Sequence, residues 1–380
     1  MSKFEFFIDY VKSMYKEKGM IALHEPRFRG NEKKYLLDAI DSTFVSSVGP
    51  YVDKFESMMA AVSKTKKAVA VVNGTSAIQV ALRVAGVKEG DEVITQALTF
   101  VATTNAIIYN HAIPIFLDVD RDTMGLSPVA IEKFLTESTE LREEGCYNKH
   151  TGRKIAACLP MHTFGFPVRL DEILTICNKW NIPVVEDAAE SLGSEYKGKP
   201  TGGFGIVGAF SFNGNKIATS GGGGAIVSND IELGKVAKHL TTTAKIPHPY
   251  EYAHDQIGYN FRMPNINAAL ACAQLEQLEV FLADKRALAN DYSNFFMQKG
   301  IKFRTEMHDT KANYWLMCIE LENRAERDLF LTTTNEVKVM TRPIWQLLFR
   351  SSIYEKYQRD EQVNAIYLEE RIVNIPSSVR

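Results

Sequence analysis

Three short segments combine residue types able to hold a phosphate, meet a cation and supply a reactive amine. The first, VVNGTSAIQVAL (71–82), ends an apolar run and opens a helical pattern at Gly74, Thr75 and Ser76. Glycine admits a ligand close to the backbone. Free N–H groups at the positive end of a helix dipole suit a phosphate monoester. An ordinary helix cap accounts for the same four residues, Asn-Gly-Thr-Ser. The segment lacks both the lysine of a nucleotide-triphosphate loop and the G-x-G-x-x-G of a dinucleotide site. The second segment, PVVEDAAESLG (183–193), sets Glu186 and Asp187 at the end of an apolar strand. A carboxylate there binds something cationic, is strongly perturbed, or lies at a solvated strand end. The third, GAFSFNGNKIATSGGGG (208–224), places Lys216 among small and apolar residues beside a glycine run. Desolvation lowers a lysine pKa, and a neutral amine can form a Schiff base. A lone lysine is ordinarily a surface residue.

The combination is more informative than its parts. A phosphate cradle, an acid at a strand end and a lysine 29 residues beyond Asp187 are the three groups that pyridoxal phosphate requires. The cradle anchors the phosphate, the acid keeps the pyridine nitrogen protonated, and the lysine takes the aldehyde. Nothing spaces as a metal site, and the eight histidines are dispersed.

Such groups need strand ends to stand on, and the chain supplies them. Strand patterns at 66–72, 91–96, 113–120, 154–165 and 182–189 alternate with helical patterns at 75–86, 99–111, 127–138 and 170–181. Ser127 reads as a cap, with Pro128 in the first turn. This alternation predicts βαβ units and an α/β fold with a mostly parallel sheet covered on both faces. Ligands in such sheets bind beyond the carboxyl ends of the strands. Glycine-rich strands follow residue 205, then one long helical stretch at 265–300 and a strand at 313–322. The expected organisation is an N-terminal segment (1–50) packing on the small lobe or on a partner, a large lobe (51–285) and a small α+β lobe (286–380).

Composition limits the alternatives. With 44 Lys+Arg against 46 Asp+Glu, the net charge of −2 excludes a general electrostatic commitment to nucleic acid or an anionic membrane. A 45% hydrophobic content excludes disorder as the main state. There is no secretory leader pattern and no run of about 18 apolar residues. Five scattered cysteines (Cys146, Cys158, Cys177, Cys272 and Cys318) read as buried thiols in a reducing, cytoplasmic setting.

Longer motifs then resemble a known family. VSSVGPYVDKFE (45–56), NGTSAIQVAL (73–82), TFVATTNAI (99–107), MHTFGFP (161–167), VVEDAAES (184–191), SFNGNKI (211–217), GYNFRMPNINAALACAQL (258–275) and TRPIW (341–345) are similar to the DegT/DnrJ/EryC1/StrS sugar aminotransferases. That family has the aspartate aminotransferase fold, fold type I. The resemblance implies Lys216 as the Schiff-base lysine and Asp187 as the pyridinium partner. It implies Gly74, Thr75, Ser76 and Ser211 as phosphate ligands and Phe100 as a ring stacked on the cofactor. Asn260 is implied to reach the phosphate of a neighbouring subunit, which makes the active unit a homodimer with composite sites. The dehydratase branch of the family has His at the lysine position, so Lys216 points to transamination. Many members have Gln where this chain has Glu190, and a carboxylate there cannot donate a hydrogen bond unless protonated.

LHEPRFRGNE (23–32), VSSVG, EDAAES and TRPIWQLL resemble the 4-aminotransferases of legionaminic-acid and bacillosamine-type pathways. That resemblance implies L-glutamate as amino donor and a UDP-linked 2-acetamido-4-keto-6-deoxy hexose as acceptor, with pyridoxamine phosphate as the intermediate cofactor form. A dTDP- or GDP-linked sugar, or amination at C3, is the alternative within the family. A regulatory protein that keeps the scaffold and a nicotinamide-dependent sugar enzyme are the alternatives outside it. Arg27 and Arg342 are candidate anchors for the diphosphate, and Asn313 and Tyr314 candidates for facing the sugar; ordinary structural roles fit all four as well.

Overall fold

The computed structural model describes residues 3–15 and 19–380. Its large sheet has seven strands: β1 (Lys67–Val71), β2 (Glu92–Gln96), β3 (Ile113–Leu117), β4 (Ile155–Cys158), β5 (Val185–Asp187), β6 (Val207–Ser211) and β7 (Gly224–Ser228). Two hydrogen-bonded groups, β1-β7-β6-β5 and β3-β2-β4, are joined by parallel bridges from Cys158 to Val184 and from Met161 to Asp187. β7 runs antiparallel to both its neighbours, and the remaining pairs are parallel. Period-two alternation feeds separate cores on the two faces. Val93 and Val185 join one cluster with Ile78, Leu82 and Ile107; Ile94 and Val184 join another with Ile131, Leu135 and Ile173. Both faces are therefore covered, as a mostly parallel sheet requires.

A smaller antiparallel sheet follows, ordered β8 (Lys302–Phe303), β9 (Met317–Glu320), β11 (Ile372–Ile375) and β10 (Arg342–Pro343). The strand expected over 313–322 is confined to β9. Tyr314 has φ 49°, a left-handed conformation that breaks extended chain just before it. The helix expected over 265–300 is two helices, Asn265–Glu276 and Leu278–Met297, separated at Gln277. Ser127 makes no side-chain cap, although Pro128 does open its helix.

The N-terminal stretch, of which residues 1–2 and 16–18 lie outside the described residues, divides between the two sheets. Helix Glu5–Tyr15 follows Phe4, which meets Phe330 at 4.9 Å; Phe7 meets Phe330 and Phe296, and Tyr10 stacks on Phe295 at 3.8 Å. Helix Glu32–Asp41 is tied instead to helix Asn265–Glu276, through Tyr35 to Glu276 and Gln274 to Glu32, both at 2.7 Å. No helix among the described residues is long and apolar enough to cross a membrane.

Candidate active site

A cavity of about 620 Å³ opens at the carboxyl ends of β1, β5 and β6 and is closed on its far side by the small sheet. Gly74, Thr75, Phe100, Asp187, Glu190, Ser211, Lys216 and Arg342 all line it. The structure thus gathers, from segments far apart in the chain, most of the residues singled out above.

The cradle is built at the start of helix Gly74–Val84. The Asn73 side chain caps that helix by accepting the Ser76 N–H at 2.8 Å. Ser76 is buried, does not line the cavity and has its N–H already used; Gly74 and Thr75 are the residues of this turn that face the cavity. A Cβ on Gly74 would fall 2.8 Å from Ser211 Cβ, and one on Gly224 2.5 Å from the Asn73 carbonyl oxygen. Glycine at these positions keeps the three chain segments close together.

Alternation along β5 gives its two acids different tasks. Glu186 turns into the protein, where it accepts the backbone N–H groups of Gly202, Phe204 and Gly205 at 2.7 Å each and contacts His162 Nε2 at 3.1 Å. It is the hub of the turn that leads into β6. Asp187 turns into the cavity. Thr103 Oγ1 donates to its Oδ2 at 2.7 Å and the Ala189 N–H donates to its Oδ1 at 3.1 Å. Burial pushes this carboxyl up, while those two donors and the Lys216 charge pull it down. A protonated ring nitrogen would relieve the burial cost.

Lys216 Nζ lies 3.2 Å from Glu190 Oε1 and 3.8 Å from the centre of the Trp315 ring. The other oxygen of Glu190 accepts the Phe164 N–H at 2.9 Å. Burial raises Glu190 to about 7, against the opposing pull of Lys216 and the Phe164 N–H. An acid so placed carries a proton for much of the time near neutral pH, and in that form it can donate as an amide does.

Besides Ser76, four predicted residues are not brought into the cavity. Arg27 Nε donates to the Val379 carbonyl and its Nη1 to Glu25, both at 2.7 Å, so its guanidinium ties the N-terminal stretch to the chain end. Asn313 Nδ2 donates to the carbonyls of Glu190 and Leu192, which makes it a clamp behind the site. Tyr314 is buried edge-on against Phe166 at 5.5 Å. Asn260 is exposed outside the cavity and accepts from Arg262. Arg342 does line the cavity, braced by bonds from Nη1 to Asn335 and to the Thr341 carbonyl at 2.8 Å.

Sequence reasoning missed Thr103, Trp315, Trp345 and Asn374. Thr103 stood inside the TFVATTNAI motif, and Trp315 one residue beyond Tyr314. The left-handed turn at Tyr314 decides which of those two rings faces the site.

The DegT/DnrJ/EryC1/StrS aminotransferase family profile matches residues 26–380. The chain belongs to that family. It is 38% identical to EpsN of Bacillus subtilis (strain 168), over 88% of this chain and 84% of that one. It is 37% identical to the GDP-perosamine synthase of Escherichia coli O157:H7, over 89% and 88%. A DegT DnrJ EryC1 StrS aminotransferase from Brucella abortus superposes with a TM-score of 0.83 at 24% identity, over 91% and 90%, and shares the fold. Membership makes the chain a sugar aminotransferase, and pyridoxal phosphate is the cofactor of that class. The residues present fit this cofactor: backbone donors at a crowded, glycine-lined helix start, a buried acid with two fixed donors, and an amine between an acid and an aromatic face.

Proposed function

We propose that this chain transfers an amino group between L-glutamate and the keto group of a nucleotide-linked sugar, with Lys216 and Asp187 as its catalytic pair. The observation that supports it is the convergence of Gly74, Thr75, Asp187 and Lys216 on one cavity at the strand ends. Pyridoxal phosphate, when bound, supplies a ring that accepts the electron pair released as a proton leaves the nitrogen-bearing carbon. Gly74 and Thr75, with the Ser211 hydroxyl, would hold its phosphate. Asp187, fixed by Thr103 and Ala189, would keep the ring nitrogen protonated. Lys216 Nζ moves the proton on the reacting carbon, taking it in one half of the cycle and returning it in the other. Trp315 shields one side of that amine from water, and Phe100, half exposed at the cavity mouth, would cover the ring.

The motif resemblance favours a UDP-linked 2-acetamido-4-keto-6-deoxy hexose. The likeness to a GDP-perosamine synthase favours a GDP-linked sugar as a second reading. Reconstituted enzyme and glutamate, offered UDP-, dTDP- and GDP-linked keto-sugars, should aminate one nucleotide series. Product mass and the position of the new amine identify the substrate, and no amination of any series refutes the reading.

We further propose a homodimer in which Asn260 completes the partner's phosphate site. The exposed Ile246, Tyr250, Tyr252 and Ile257 in the loop just before Asn260 support it. Sedimentation of the holoenzyme at monomer mass would refute it. Five buried, unpaired thiols are in keeping with a cytoplasmic setting.

A further inference from the structure

The large lobe supplies every group assigned to the cofactor, and the opposite wall of the cavity belongs to the small sheet. Arg342, Trp345, Gln346 and Asn374 line that wall. Asn374 sits in β11, paired with Cys318 on one side and Arg342 on the other. Val373 and Ile375, on the other face of the strand, pack in the apolar core, and Asn374 lines the cavity.

Five asparagines are buried among the described residues: Asn110, Asn148, Asn265, Asn313 and Asn374. The first four bind the chain through their side-chain amides. Asn374, only 3% exposed, has an amide oxygen without a hydrogen-bond partner. A buried polar atom left unpaired is costly, and its presence on a cavity wall points to a ligand that pairs it.

Charge indicates which part of the ligand that is. Among the described residues lining the cavity, Lys216 and Arg342 are the cations. Lys216 is committed to chemistry, so the anionic groups of a substrate fall to Arg342. An uncharged amide adds little for a phosphate or carboxylate beside a guanidinium, but it pairs well with a group that both donates and accepts.

We propose that Asn374 hydrogen-bonds an uncharged substituent of the sugar ring, a hydroxyl or an acetamido group, and helps to set which keto-sugar the cavity takes. This rests on the keto-sugar reading above. Calorimetric titration of the holoenzyme with UDP-N-acetylglucosamine, UDP-glucose and GDP-mannose, each against its bare nucleoside diphosphate, tests it. Asn374→Ala should weaken the best-bound nucleotide sugar about tenfold. It should leave the bare nucleotide's affinity and the rate of the glutamate half-reaction unchanged. Because the amide oxygen pairs with nothing in the chain, the variant should melt no lower than wild type, whereas loss of a structural amide would lower the midpoint. Asn374→Ser, which keeps a hydroxyl, should recover part of the affinity and guards against a misfolded alanine variant. Comparison of the N-acetylated and plain UDP sugars tells an acetamido contact from a hydroxyl contact. Equal losses for sugar and bare nucleotide, or a slowed glutamate half-reaction, overturn the proposal. Wild-type enzyme that neither binds nor aminates any nucleotide sugar overturns the keto-sugar reading and this proposal with it. Wild-type enzyme that does both, matched by Asn374→Ala, overturns this proposal alone.

Discussion

Replacing Glu190 with Gln should remove a defined pH dependence from the stability of the cofactor-free protein. Burial raises this carboxyl from its ordinary 4.5 to about 7. The folded acid binds its proton more tightly than the unfolded one, so protonation favours the fold. The stabilisation is complete below pH 4.5, declines as pH rises towards 7, and is gone above it. At 1.36 kcal/mol per tenfold in proton affinity, that interval corresponds to about 3 kcal/mol. Glu190→Gln has no proton to lose there. Its unfolding free energy, measured in denaturant at one protein concentration, should gain about 3 kcal/mol relative to wild type between pH 4.5 and 8. Comparing slopes instead of absolute values cancels the other carboxyls and any fixed effect of the amide. A second comparison tests the cause. Lys216 and the Phe164 N–H hold this acid down while burial raises it. Removing the ammonium with Lys216→Ala should therefore extend the decline to higher pH, provided Glu190 is still present. Parallel curves for wild type and Glu190→Gln across this range would refute the reasoning.

Three further outcomes follow from the same geometry. Lys216→Ala should abolish transamination and prevent reductive trapping of the cofactor on the protein, read by mass spectrometry after borohydride treatment; trapping at another lysine would reassign the amine. Gly74→Ala places a Cβ 2.8 Å from Ser211 Cβ. Overpacking of about 1–3 kcal/mol should weaken cofactor affinity roughly 5- to 150-fold in a titration of the apo-protein, and unchanged affinity would remove the cradle from this helix start. Glu186→Ala leaves three backbone N–H groups, one buried and two half-buried, and a buried histidine without their acceptor. At about 1–3 kcal/mol for each unpaired donor, it should cost at least roughly 3 kcal/mol in denaturant unfolding, and a near-neutral result would make Glu186 dispensable.

What could be read in advance divides along a physical line. Gly74, Thr75, Asp187 and Lys216 were legible because each is attached to a local signal: a strand run ending, a helix opening, a charge stranded among apolar residues. The parallel sheet was legible for the same reason, since strands buried on both faces leave continuous β-branched runs. The substrate wall left no such mark. β10 is two residues long and β11 four, too short for a period to declare itself. Asn374 reaches the cavity only because β11 pairs with β9 and β10, segments more than thirty residues away from it in one case and more than fifty in the other. For Arg27 and Asn313 the structure carries the ordinary structural role that the sequence also allowed. A basic or amide side chain near a motif has the right chemistry for a ligand, yet here backbone carbonyls at 2.7–2.9 Å take those donors first. Competition for hydrogen bonds is settled by tertiary contacts, and residue type alone does not report it. Glu186 and Asp187 are the sharpest case. Adjacent acids on one strand end face opposite sides, so one organises a turn while the other meets the cavity. Their order along the chain says only that they differ; the turn over 202–205 decides which does which. Cofactor chemistry, carried by strand ends, was therefore readable from local pattern, whereas substrate choice rests on pairings between distant short strands.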